Sequence, residues 1–113
     1  MFDRLTDEEP RDLDAHVRET RRKLTADAID YRELRPEVQD FAHAMEIALR
    51  RNDHKGGWRE CRLTWLVERL YQEADELARA ITSGAPHAEI EREAADVANF
   101  AMMIADVAKL EGR

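Results

Sequence analysis

Apolar residues recur along this chain at steps of three and four and never alternate as they would in a strand, so the pattern predicts helices throughout. In "RPEVQDFAHAMEIALRRND", Val38, Phe41, Ala42, Met45, Ala48 and Leu49 fall on one face of an amphipathic helix. Pro36 suits its first turn, where the missing N–H costs nothing. "NDHKGGW" breaks that helix with two glycines, which reach backbone conformations barred to other residues. A further helix is predicted from about Arg59 to Ser83, with Leu63, Leu66, Leu70, Leu77 and Ile81 as its spine. "SGAPH" stops it, and a last helix runs from about His87 towards the C-terminus. Upstream, "TDEEPRDLDAHVRETRRKL" opens with Thr6 and Glu9 in capping-box spacing and continues as a polar helix, with Leu13 and Val17 able to dock on a neighbour. The expected organisation is a polar helical extension over residues 1–35 and an all-α domain over 36–113.

Charge and composition narrow what such a bundle does. A net charge of −7, from 18 Lys+Arg against 25 Asp+Glu, provides no general field for a nucleic-acid backbone. A small anionic ligand stays possible, because a few local cations or a metal ion can hold phosphates inside an acidic protein. The single cysteine, Cys61, excludes an intrachain disulfide and fits a reducing compartment. "NFAMMIADVAKL" is the greasiest segment and is too short and interrupted to span a membrane. A cytoplasmic protein with neither nucleic acid nor membrane as a partner is expected.

The unusual feature is acids among leucines. At about 100° per residue Glu73 falls between Leu70 and Leu77, inside the apolar stripe, and Glu76 sits roughly 60° away at its edge. On the last helix Asp96 lines up with Phe100, Met103 and Val107, and Glu93 lies close to the same face. A buried carboxylate must be paired, protonated or bound to a metal. One reading pairs each acid with an arginine or lysine of a neighbouring helix. The other lets two i,i+3 pairs on adjacent helices converge into an oxygen-only site of the kind Mg²⁺ takes, with water and substrate phosphates completing its shell. The absence of histidine from the four argues against zinc.

"RRNDHKGGW" gathers cations, amides and an indole in one loop. Lys55 is the natural phosphate contact, since a flexible ammonium suits a polyphosphate tail. Trp58 can stack on a base or tuck into the core, and Asn52 can bond a base edge or sugar. The loop is not a Walker A sequence, lacking its glycine spacing and its Lys-Ser/Thr ending. His54 supports no role beyond a phosphate contact or a solvent position, and Cys61 has no neighbouring base to activate it. Trp65 and Tyr71 suit either a core or a subunit interface. Asn99, one turn beyond Asp96, can select a substrate group through its amide.

Glu73-x-x-Glu76-Leu77 followed by Glu93-x-x-Asp96-Val97 resembles the paired motif of the all-alpha nucleotide pyrophosphohydrolases, the MazG-like, dimeric dUTPase-like and phosphoribosyl-ATP pyrophosphatase-like group. From about Phe41 to Ala108 the chain looks like a phage- or bacterium-type MazG-like protein, with "NDHKGGW" and "EAADVANFAMMIAD" especially similar. It departs from the MazG proteins proper in having "GGWREC" where they often carry a proline-tryptophan-aspartate stretch.

The resemblance implies a MazG-like helical bundle completed by oligomerisation. It also implies cleavage of a nucleoside triphosphate between its α- and β-phosphates, to monophosphate and pyrophosphate. Carried over residue by residue, it makes Glu73, Glu76, Glu93 and Asp96 the Mg²⁺ ligands, places Lys55 near the phosphates and makes Asn99 a nucleoside contact. Glu73 or Glu76 would orient the attacking water or take its proton. The last helix is apolar on more than one side (Ile90, Val97, Ala101 and Ile104 as well as Phe100, Met103 and Val107), so a homodimer or higher homo-oligomer is expected. Two rivals stand beside this reading: a phosphoribosyl or modified nucleotide as substrate, and a non-catalytic helical interaction module whose acids are paired to arginines.

Overall fold

The computed structural model describes residues 29–112. Among them it is all-α: a 3₁₀ turn at Tyr31–Glu33, helix α1 (Pro36–Arg51), a 3₁₀ turn at Asp53–Lys55, helix α2 (Leu63–Thr82) and helix α3 (His87–Leu110). The capping box expected at Thr6 and Glu9, with Leu13 and Val17, lies outside the described residues. The chain divides into two compact units between Gln39 and Asp40, so residues 29–39 and 40–112 are taken in turn.

In the first, Asp30 caps the Tyr31–Glu33 turn. Its Oδ1 accepts the Arg32 N–H at 2.8 Å, and the Glu33 side chain accepts the Asp30 N–H at 3.3 Å. The Gln39 side-chain amide donates to the carbonyls of Tyr31, Arg32 and Leu34, which ties this turn to the opening of α1.

In the second, each connection follows from its sequence. The Asn52 side chain donates to the Ala48 carbonyl at 3.0 Å and closes α1. Gly56, with φ 92° and ψ 177°, holds a conformation open essentially to glycine alone. At the end of α2, Gly84 takes φ 75°, the Gly84 N–H bonds to Ile81 O at 3.1 Å and the Ala85 N–H to Ala80 O at 2.9 Å. That is a Schellman motif, with Pro86 immediately after to prevent continuation. The four-residue link returns α3 against α2 as an antiparallel hairpin. Trp58, just before α2, meets Asp106 near the end of α3; Arg69 in mid-helix lies 5.3 Å from the Phe100 ring centroid; and Glu73 and Glu76 meet Glu93 near the start of α3. α1 joins α3 through the Asn99 Nδ2–H, which donates to the Met45 carbonyl at 3.1 Å.

Two expectations are corrected. α2 begins at Leu63 rather than near Arg59, because the Cys61 N–H turns back onto the Trp58 carbonyl and Arg62 is extended. The spine is also only partly covered: Leu66 is fully buried, Leu63, Leu70 and Leu77 are half-buried, and Ile81 is 56% exposed. Ala80 takes the buried place beyond Glu73 instead. Trp65 and Tyr71 are exposed too, at 49% and 71%, so neither is a core residue of the single chain. Among the described residues the buried apolar side chains are Ala48, Leu66, Ala80, Ala95 and Val107, a small core for three helices. No described helix is long and apolar enough to cross a membrane.

Candidate functional site

The buried line of α2 runs Leu66, Glu73, Ala80, at seven-residue intervals that return to the same side of a helix facing one partner. Glu73 is therefore central on the surface α2 turns to α3, and only 6% of it is exposed. Glu76, nearly one turn on, is exposed, and Glu93 approaches from α3. The three each offer a carboxylate oxygen, and these oxygens all lie within 4.8 Å of one another. Glu93 Oε1 is buried without a hydrogen-bond partner. An acceptor left so costs free energy unless something positive or protic reaches it.

The electrostatics follow from burial and crowding. Burial pushes the Glu73 carboxyl above its ordinary value, Glu76 and Asp96 push it further, and Arg69 opposes them without prevailing. The Arg69 guanidinium nitrogen nonetheless stands 2.7 Å from Glu73 Oε2. The pairing expected from a neighbouring helix thus comes from α2 itself, one turn away. Burial also raises the Glu93 carboxyl, with Glu76 and Asp96 adding to it. At Asp96 burial again raises the carboxyl, and the Arg51 charge is the largest effect against it, with Arg92 and Lys55 acting the same way.

A set of carboxylates that hold protons against their ordinary preference suits a hard divalent cation, which takes the place of those protons. On an octahedral Mg²⁺ neighbouring ligand oxygens are about 3 Å apart and opposed ones about 4.2 Å, so three carboxylates whose oxygens already lie within 4.8 Å of one another would draw together to share the ion. The residues present therefore fit the ion expected from the sequence. Asp96 is half-buried on the same helix as Glu93, but it is not one of the three whose oxygens converge.

None of the remaining residues singled out in the sequence belongs to the converging set. Lys55 is exposed in the loop after α1, and its charge is felt at Asp96. Asn52 is exposed, with its amide donor engaged by Ala48. Trp58 is half-buried and its indole N–H donates to Asp106 Oδ2 at 2.9 Å, which sets the ring against α3. Asn99 is 3% exposed; its Nδ2–H is taken by Met45 and its Oδ1 is buried without a partner. His54 is exposed and Cys61 half-buried.

Three residues escaped the sequence reading. Arg51 stood beside Lys55 in the same basic run. Arg69 stood one turn before Glu73, a spacing that favours ion pairs. Asp106 is the acid that interrupts the greasiest stretch of the chain, the same kind of signal that marked Glu73. No protein-family model, curated protein or solved structure matches the chain.

Proposed function

We propose that this protein is a magnesium-dependent nucleotide pyrophosphohydrolase of the MazG-like group, cleaving a nucleoside triphosphate between the α- and β-phosphates to monophosphate and pyrophosphate in the cytoplasm. The observation that carries the reading is the convergence of Glu73, Glu76 and Glu93 from two helices, with their oxygens within 4.8 Å of one another. Together with Asp96 these residues would hold Mg²⁺. When bound, the ion supplies charge to the phosphoryl oxygens and makes a coordinated water more acidic.

The chain's own groups account for the rest. Glu76 is the member of the cluster open to solvent, which suits it to orient the attacking water and take its proton, while Glu73 is occupied with Arg69. Lys55 and Arg51, whose charges reach Asp96, offset the negative charge that grows on the phosphates. Asn52, Trp58 and Asn99 are the candidates for holding the nucleoside, and its base is left open. A homodimer would cover Trp65, Tyr71 and Ile81 and the apolar sides of α3.

The Arg69–Glu73 ion pair favours a second reading, a helical interaction module with no catalytic role. Melting with and without Mg²⁺ separates the two. The hydrolase reading expects a rise of roughly 10 °C or more at a hundredfold excess over Kd, where binding contributes about 2.7 kcal/mol. Glu93→Gln should remove most of that rise. An interaction module melts at the same temperature in Mg²⁺ and in chelator.

A further inference from the structure

Asp106 Oδ2 receives two donors from one segment of chain far away in sequence. The Trp58 indole N–H reaches it at 2.9 Å and the Arg59 Nε–H at 3.0 Å, across separations of 48 and 47 residues. The acid is partly shielded, with 23% of its side chain exposed, and these contacts, the indole first, hold its carboxyl below the usual range. Such a doubly bonded carboxylate is a firm attachment point, since charge-assisted hydrogen bonds are the stronger kind.

What it attaches contributes little to the core. Residues 52–57 are all exposed, and a Cβ added at Gly56 or Gly57 would meet nothing within 4 Å. The loop still has a definite shape. Asn52 anchors its start on the Ala48 carbonyl, the Lys55 N–H bonds to Asn52 O at 2.9 Å, and Gly56 turns the chain through a conformation reserved for glycine. Its far end is held at Trp58 and Arg59. Lys55 stands between the two attachments in sequence, and its charge acts to lower the Asp96 carboxyl.

We propose that Asp106 is a positioning residue: by gripping Trp58 and Arg59 it sets the 52–57 loop so that Lys55 presents its ammonium to a polyphosphate bound beside the carboxylate cluster. This rests on the hydrolase reading, and it assigns Trp58 a part in shaping the loop through its N–H. Asp106 touches neither phosphate nor metal. It works through the loop, and its loss weakens capture of the anion while leaving the carboxylates intact.

Titrating Mg²⁺-loaded protein with inorganic tripolyphosphate by calorimetry reads that capture without turnover. Asp106→Ala and Trp58→Phe, which removes the indole N–H and keeps a ring, should each bind roughly tenfold more weakly than the unaltered protein. Both should keep its Mg²⁺-dependent rise in melting temperature, and with nucleotide Asp106→Ala should raise KM more than it lowers kcat. Asp106→Asn, whose amide oxygen still accepts the indole N–H without the charge for Arg59, should fall between. Equal affinity in all four proteins overturns the proposal and leaves the hydrolase reading standing. So does a weakening accompanied by loss of the Mg²⁺ effect, since the damage is then general. Unaltered protein with no tripolyphosphate binding, no Mg²⁺ effect and no turnover overturns both.

Discussion

Arg69 and Glu73 stand one turn apart on α2 with a guanidinium nitrogen 2.7 Å from a carboxylate oxygen, yet Glu73 holds its proton more tightly than a free glutamate does. An i,i+4 ion pair on a helix contributes only about 0.2–0.5 kcal/mol. Burial, together with Glu76, Asp96 and Glu93, acts the other way and outweighs it. The acids therefore strain against one another in the metal-free protein, and that strain has measurable consequences.

The first is a pH dependence. Glu73, Glu93 and Asp96 all have folded-state pKa values above their ordinary 4.5, 4.5 and 3.8, so the folded chain binds protons more tightly than the unfolded one. The stability they contribute is complete below those ordinary values and is lost as pH rises through the folded ones. Asp106 acts oppositely, being stabilising above its ordinary 3.8 and losing that contribution as pH falls through its lower folded value. Above that range the three raised groups dominate. Metal-free protein should accordingly melt higher at about pH 5 than at about pH 7.5, and saturating Mg²⁺ should flatten the difference. A metal-free melting temperature that rises with pH over this interval contradicts the assignment.

Neutralising the central acid should separate stability from function. Glu73→Gln keeps the size of the side chain and removes a buried charge, so at pH 7.5 the metal-free variant should melt above the unaltered protein. The same change should abolish the Mg²⁺ response and lower turnover by roughly a hundredfold or more. Circular dichroism should show full helicity. A variant that melts lower and retains activity would remove Glu73 from the site.

Among the described residues Leu66 is the one large side chain that is fully buried, on the same line of α2 as Glu73 and Ala80. Leu66→Ala should cost about 2–5 kcal/mol, read from denaturant unfolding at fixed protein concentration. A loss below 1 kcal/mol, as at an exposed helix position, would mean that α2 does not pack as described.

Coverage of the exposed apolar residues predicts self-association. Solution scattering at micromolar concentration should return at least twice the 13.1 kDa of one chain. Ile81→Glu, placing a charge on the half-covered edge of α2, should shift the population towards monomer. A monomer in the unaltered protein would refute a shared interface.

The helices and the placement of Glu73 were legible because a period of three to four residues marks the face that carries Leu66, Leu70 and Leu77. Periodicity does not say which part of that face lies nearest the neighbouring helix. Ala80 proved buried and Ile81 exposed because close approach of helices favours the smaller side chain, a property of the pair and not of α2. The same limit applies to Asp96: its helix and approximate face were readable, but whether its oxygens join those of Glu73, Glu76 and Glu93 depends on how α3 is rotated. The pairing of Trp58 with Asp106 was beyond reach for another reason. The two are 48 residues apart, and only the antiparallel register of α2 and α3 brings them together. The start of α2 was misplaced because a turn held by the Cys61 N–H and Trp58 carbonyl interrupts a stretch that pattern alone extends.

Product analysis tests the central proposal most directly. Purified protein should be incubated with each common ribo- and deoxyribonucleoside triphosphate, in Mg²⁺ and in chelator, and the products separated by ion exchange. Magnesium-dependent formation of nucleoside monophosphate and pyrophosphate in equal amounts is expected, lost in Glu73→Gln and Glu93→Gln. Nucleoside diphosphate with orthophosphate, or the same products in chelator, would contradict the proposal.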